Sequence, residues 1–102
     1  MIGVFIYLVR NVFNAKPGKA KELVAKFKVA EKYLPKEGII RSRVMTDVVS
    51  GFWTVVTEFE VPNLATWDQV SGTTSTPEIR DAMKDYMTLV EGGYREIFKI
   101  EE

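Results

Sequence analysis

Residues 2–46 read IGVFIYLVRNVFNAKPGKAKELVAKFKVAEKYLPKEGIIRSRVMT. The opening run, Ile2 to Phe13, is rich in β-branched and aromatic residues and has no Gly or Pro after Gly3; it reads as a strand. Ile2, Val4, Ile6 and Leu8 fall on one face and Phe5, Tyr7 and Val9 on the other, so both faces are apolar, as in a central strand covered on both sides. Asn14 to Gly18 breaks the run, and Pro17 suits a first helical turn, where its missing N–H costs little. Ala20, Leu23, Val24, Phe27, Ala30 and Leu34 then recur at helical spacing, with lysines on the far side. An amphipathic helix is expected over 17–34, ended by Pro35 and Gly38. Ile39 to Thr46 is a second strand with Arg41 and Arg43 on one face and Ile40, Ser42 and Val44 on the other.

The second half repeats the order. Asp47 to Gly51 reads as a hairpin connection, with Gly51 free to take positive φ. Phe52 to Val61 is a third strand, with Trp53, Val55 and Phe59 on one face and Phe52 and Val56 on the other. Asn63 caps a short helical piece, 63–70, and Gly72 to Ser75 is a polar loop that gives the second helix a flexible joint. Thr76, Pro77 and Glu78 restart the helix, Ser75 and Glu78 having capping-box spacing. Ile79, Ala82, Met83, Tyr86, Met87 and Val90 keep helical period. Gly92-Gly93 is expected to stop that helix, and Tyr94 to Ile100 is the last strand.

The 102 residues make one domain, 1–102, long enough to bury a core. Cysteine and histidine are both absent. Disulfides, thiolate chemistry and thiolate metal sites are excluded, and so are the usual neutral-pH base and the commonest metal ligand. No metal site is expected. The missing cysteines suit a cytoplasmic protein. No apolar run approaches a membrane span, and the start lacks the basic lead-in and cleavage site of a signal peptide. Net charge is zero, yet residues 1–51 carry ten Lys/Arg and four Asp/Glu while 52–102 carry four and ten. Seven lysines between Lys16 and Lys36 read as the solvated face of the first helix; the alternative is a basic patch for an anion, nucleic acid or membrane.

Strand–helix–strand taken twice is the split βαβ, or ferredoxin-like, arrangement: an α+β fold, βαββαβ, with an antiparallel sheet ordered 4-1-3-2. Two helices cover one face of such a sheet. The large apolar residues of the other face call for a partner, most simply a second copy about a twofold axis. Phe5 and Trp53 are taken as partner-face aromatics, with Phe52 as the control.

The Pro17-Gly18-Lys19 entry into a lysine-rich helix carries a resemblance. So do the strand Thr57-Glu58-Phe59-Glu60 running into Asn63 and Trp67, the broken second helix, and the closing strand Tyr94-Arg95-Glu96-Ile97-Phe98. Nearly the whole chain resembles the dimeric α/β-barrel superfamily, which includes antibiotic-biosynthesis-monooxygenase-like and NIPSNAP-like domains. The resemblance implies a homodimer and a pocket between the sheet and the second helix. It also implies, for some relatives, cofactor-free oxygenation of an aromatic substrate that itself passes an electron to oxygen. Asn63 and Trp67 would line that pocket, Tyr86 would handle a proton and Arg80 would stabilise an anion; Trp67, Met83 and Met87 would supply apolar wall. Other relatives degrade haem. Asn11 and Trp67 fall near positions those proteins use, but their iron ligand falls at Met83 and this chain has no histidine, so no cofactor is expected.

Competing readings stay open. Asn63 as a plain cap, with Trp67 and Tyr86 as core, is one. Glu58 is either a buried candidate base facing the helices or the ion-pair partner of Arg41 or Arg43. Ser50 to Thr57 matches an RNA-recognition strand motif only at Gly51, Phe52 and Val55, and the zero net charge gives little drive for nucleic-acid binding. A cofactor-independent monooxygenase, a non-catalytic carrier of a small apolar or aromatic ligand, and a structural module all fit the sequence.

Overall fold

The computed structural model describes residues 5–35, 38–71 and 76–101, the side chains of 69–71 excepted. Four strands form one antiparallel sheet: β1 (Tyr7–Ala15), β2 (Arg41–Thr46), β3 (Thr54–Val61) and β4 (Val90–Lys99), in the order β2-β3-β1-β4. Between them run α1 (Ala20–Lys32), α2 (Leu64–Ser71), α3 (Pro77–Ala82) and a 3-10 turn, Tyr86–Leu89. This is the expected ferredoxin-like βαββαβ topology, the most apolar strands central and the more charged ones at the edges. The expected residues Ile2 to Val4 of the first strand, the Gly72 to Ser75 joint and the Ser75 capping box lie outside the described residues.

Register fixes the two faces. β1 pairs with β3 through Asn11 and Thr57 and with β4 through Asn11 and Arg95. Odd-numbered β1 residues therefore share the helix-covered face with Val55, Thr57, Phe59 and Val61. Two apolar clusters fill that side. In one, Leu23 and Phe27 of α1 pack on Ala15, Val55, Leu89 and Val90, joined by Phe13, Val44, Met83 and Tyr86. In the other, Trp67 of α2 packs on Val9 and Val61, joined by Tyr7, Leu34, Ile39 and Phe59. Fully burying a side chain such as Leu23 contributes about 1.5–3 kcal/mol.

Several boundaries differ from expectation, each for a local reason. Pro17-Gly18 forms a turn ahead of α1, not its first turn: Gly18 takes φ +76°, and the Lys19 amide bonds the Lys16 carbonyl at 2.9 Å. In the β2–β3 connection the positive φ falls on Trp53, at 23°, not on Gly51. The Asp47 carboxylate accepts from the Thr54 amide at 2.9 Å, and the Trp53 carbonyl from the Ala15 amide at 2.9 Å. Together these bonds pin the turn in that conformation. Helical structure does not run on to Gly92-Gly93. α3 ends at Ala82, and Asp85 turns the chain with φ 63°.

The two glycines stand inside β4 instead. Gly93 pairs with Phe13, and a Cβ there would collide with the Val12 backbone; no side chain could lie so close to β1. Thr76 does cap α3, its hydroxyl accepting from the Ile79 amide at 3.4 Å. Phe5 and Trp53 are not on the open face. Phe5 lies under the Lys99 ammonium, 4.4 Å from its ring centre, on the side shared with Tyr7. Trp53 lines an open cleft of about 380 Å³ against Ala20, Lys21 and Val24 of α1.

Candidate functional site

One polar row crosses the helix-covered face between the two apolar clusters. The Asn11 amide nitrogen donates to the Thr57 hydroxyl at 3.1 Å, and the Arg95 Nε donates to the Asn11 amide oxygen at 2.6 Å. Asn11 is 7% exposed and Thr57 5%, so this is a buried polar contact that must be satisfied, and it is. The register puts the three residues side by side on β3, β1 and β4. An amide suits the centre because it offers a donor to one neighbour and an acceptor to the other.

α2 closes the row from above. The guanidinium carbon of Arg95 lies 5.2 Å from the centre of the Trp67 ring, within cation–π range. The Phe59 ring lies 4.9 Å from the Trp67 ring at 38°, an aromatic contact that adds to its burial. Trp67 is held over the sheet by α2, whose first turn is capped by Asn63: the Asn63 side-chain oxygen accepts from the Thr66 amide at 2.8 Å and from its hydroxyl at 3.0 Å. On the sheet side Gly38, at φ +95°, makes room for α2, because a Cβ there would stand 2.8 Å from the Thr66 methyl.

Trp67 and Asn11 therefore meet through Arg95. Asn63 is exposed and occupied as a cap. Tyr86 and Met83 belong to the α1 cluster: the Tyr86 ring stands edge-on to Phe13 at 6.1 Å and 6.4 Å from Phe27. Arg80 is exposed on α3, and Met87 is 63% exposed. Glu58 faces away from all of these, on the open side of the sheet, with Arg43 Nη2 at 2.6 Å and Arg10 Nη1 at 3.5 Å. Its ion-pair reading is the one the structure bears out, through Arg43. Sequence patterning does not single out Arg95 or Thr57. The clue is Asn11, one amide at a core-facing position between Val9 and Phe13, but naming its partners needs the strand register.

The row combines a guanidinium, an indole face and a satisfied amide. Nε of Arg95 is used by Asn11; its Nη amines have no hydrogen-bond partner among the described residues. Such a set can hold a planar anion by charge and stacking. Among the described residues no three His, Cys, Asp or Glu side chains cluster as a metal site would need, and no helix is long and apolar enough to cross a membrane.

Solved structures share the fold at low sequence identity. One is a putative antibiotic biosynthesis monooxygenase from Chloroflexus aurantiacus J-10-fl, at TM-score 0.78 and 15% identity over 95% of this chain and 94% of that one. A dimeric protein of unknown function with a ferredoxin-like fold from Bacteroides fragilis NCTC 9343 matches at 0.73 and 17%, over 98% and 100%. An anthrone oxidase-like protein matches at 0.77 and 16%, over all of this chain and 47% of that one. No family model matches the sequence, and no curated protein does. The likeness shows the fold, a small ferredoxin-like α+β domain.

Proposed function

We propose that the protein is a homodimeric domain that binds a small planar aromatic molecule bearing an acidic hydroxyl or carboxylate, at the Asn11–Thr57–Arg95–Trp67 site. The observation that carries this is the Arg95 guanidinium. It lies over the Trp67 ring, 5.2 Å from its centre, and is held through Nε by a buried amide, so its geometry is set before any ligand arrives. A preset guanidinium loses less freedom on binding than a mobile one, and the Trp67 and Phe59 rings beside it favour an aromatic body.

The same arrangement supports oxygenation where the ligand is an electron-rich phenol. A cation beside the hydroxyl favours the phenolate, which is the better electron donor to oxygen. In a balanced conversion of phenol to quinone, one atom of O2 becomes the new carbonyl. The other leaves as water with the two hydrogens lost from the ring carbon and the hydroxyl. The ring supplies the electrons, so no cofactor is needed. The likeness to a putative antibiotic biosynthesis monooxygenase and to an anthrone oxidase-like protein favours this chemistry. The family resemblance gives roles to Tyr86, Arg80 and Asn63; Tyr86 packs in the α1 cluster, Asn63 caps α2 and Arg80 is exposed on α3, and the chemistry proposed here is argued from Asn11, Trp67 and Arg95.

Titration with a panel of phenols, quinols and aromatic carboxylates tests the proposal, with indole fluorescence of the wild type compared with Trp67→Phe. Trp53 supplies the background, so the difference reports Trp67. A saturable change in the difference signal supports the site; none at millimolar ligand would remove both the enzyme and the carrier reading. Oxygen consumption with a bound electron-rich phenol, without added cofactor and above the rate in the absence of protein, with one oxygen atom from O2 found in the quinone product, separates the enzyme from the carrier.

A further inference from the structure

A second concavity lies apart from the Asn11 row. The open cleft of about 380 Å³ has Ala20, Lys21 and Val24 of α1 on one side and Asp47, Trp53 and Thr54 of the β2–β3 connection on the other. Its size falls in the roughly 300–1,000 Å³ range of small-molecule sites. Trp53 is the first unusual feature. A bulky residue at positive φ is a backbone outlier, and Trp53 takes φ 23° although Gly51 stands two residues away. The turn is held by the Thr54 amide on Asp47 Oδ1 at 2.9 Å, the Thr54 hydroxyl on the Gly51 carbonyl at 2.8 Å and the Ala15 amide on the Trp53 carbonyl at 2.9 Å. Burial of the indole does not offset the strain, for Trp53 is 45% exposed, with the Phe52 ring 5.6 Å from its own. Strain kept without burial is found most often where a ligand is held. The second feature is charge. Lys21 and Asp47 line the same cleft and do not pair with each other. Among the described residues the Lys21 ammonium has no ion-pair or hydrogen-bond partner, and Asp47 commits only Oδ1.

We propose that this cleft binds a small zwitterion with an apolar body, a free α-amino acid with a large side chain being the simplest. The ligand carboxylate accepts from the Lys21 ammonium, and the ligand ammonium donates to the uncommitted oxygen of Asp47. The apolar body lies on the Trp53 indole against Ala20 and Val24. Opposite charges facing one cleft without meeting leave a gap that a ligand of two charges bridges. An anion alone would answer Lys21 and lie near the like charge of Asp47; a cation alone would do the reverse. A zwitterion satisfies both, through hydrogen bonds in which both partners are ionised, the stronger kind. The indole face adds attraction for an ammonium and surface for an apolar body. The cleft shares no residue with the Arg95 site, which stands on β4, at the other edge of the sheet from β2, so the two readings stand or fall separately.

Calorimetric titration of the wild type with L-phenylalanine, 3-phenylpropionate and 2-phenylethylamine reads the two charges one at a time. Phenylalanine is expected to bind saturably, at least about tenfold more tightly than either singly charged analogue, the effect of one charge-assisted hydrogen bond. Lys21→Gln should weaken phenylalanine by about tenfold or more and leave phenylethylamine within about twofold. Asp47→Asn keeps an oxygen for the Thr54 amide; it should weaken phenylalanine equally and leave phenylpropionate within about twofold. Arg95→Gln should leave phenylalanine binding unchanged. No saturable binding of phenylalanine at millimolar concentration would overturn the proposal. So would an analogue of one charge that binds as tightly as phenylalanine, and so would loss of phenylalanine binding in Arg95→Gln, which would place it at the other site. If Asp47→Asn does not fold, Lys21→Gln decides, because Lys21 is exposed and makes no bond within the described fold. Unchanged phenylalanine affinity in Lys21→Gln rejects the site.

Discussion

Arg95 and Asn11 are 84 residues apart in sequence and 2.6 Å apart in space, Nε to amide oxygen. The contact ties edge strand β4 to central strand β1 on the helix-covered face, and it sets the guanidinium under Trp67. A charged donor on a buried acceptor is among the stronger hydrogen bonds a domain makes.

Asn11→Ala removes the centre of the polar row and leaves the Thr57 hydroxyl buried without its donor. The expected loss is about 1–3 kcal/mol of unfolding free energy. Urea denaturation checks it: a lowered midpoint is expected, and an unchanged one would show that water replaces the amide freely. Asn11→Asp keeps the acceptor for Arg95 and should recover part of the loss.

Asn63→Ala separates a cap from a pocket residue. As a cap, Asn63 holds the Thr66 amide, and its removal should cost about 1 kcal/mol while ligand affinity stays within twofold of wild type. A loss of affinity with unchanged thermal stability would return Asn63 to the binding site.

Glycines 92 and 93 make a matched pair. A methyl group on Gly92 would meet open space, whereas one on Gly93 would meet the Val12 backbone. Gly92→Ala should therefore stay within about 0.5 kcal/mol of wild type, and Gly93→Ala should cost more than about 2 kcal/mol. Equal effects in thermal melts would contradict the close approach of β4 to β1.

Much of the fold is legible along the chain because periodicity reports burial. The two-sided apolar β1 and the stripe Leu23, Phe27, Ala30 on α1 each end up where their spacing places them. What fails is local. Ile79 to Val90 keeps helical spacing, yet the chain leaves the helix at Ala82 because Leu89 and Val90 are needed under β1 and α1, where they pack on Ala15 and Phe27. A helix and a turn followed by a strand can bury the same side chains, so spacing alone does not separate them. Glu58 shows the same limit. Its alternatives are helix side and open side, and a shift of one residue in register exchanges them. The Asn11 row is half visible: a lone amide among core-facing apolar residues marks a polar contact, but Thr57 and Arg95 become its partners only once β3 and β4 are set beside β1.

Glu58→Gln tests the ion pairs of the open face. Glu58 is 5% exposed and answers two arginines, so neutralising it leaves Arg10 and Arg43 facing each other across a buried amide. A loss of about 1–3 kcal/mol is expected by chemical denaturation. Added salt should lessen the difference from wild type only slightly, because buried pairs are screened less than exposed ones. A variant as stable as wild type would show that these ion pairs contribute nothing of their own.

Calorimetric titration of wild type and Arg95→Gln with one aromatic carboxylate and its neutral carboxamide addresses the ligand site most directly. The guanidinium is expected to bind the carboxylate with a gain of about 1.5–3 kcal/mol, the range for a hydrogen bond to a charged group. Wild type should then prefer the carboxylate over the carboxamide by more than about tenfold. Arg95→Gln should lose that preference while keeping its affinity for the carboxamide. Equal affinity of both proteins for the carboxylate, or an undiminished preference in Arg95→Gln, would contradict a ligand site built on Arg95 and Trp67.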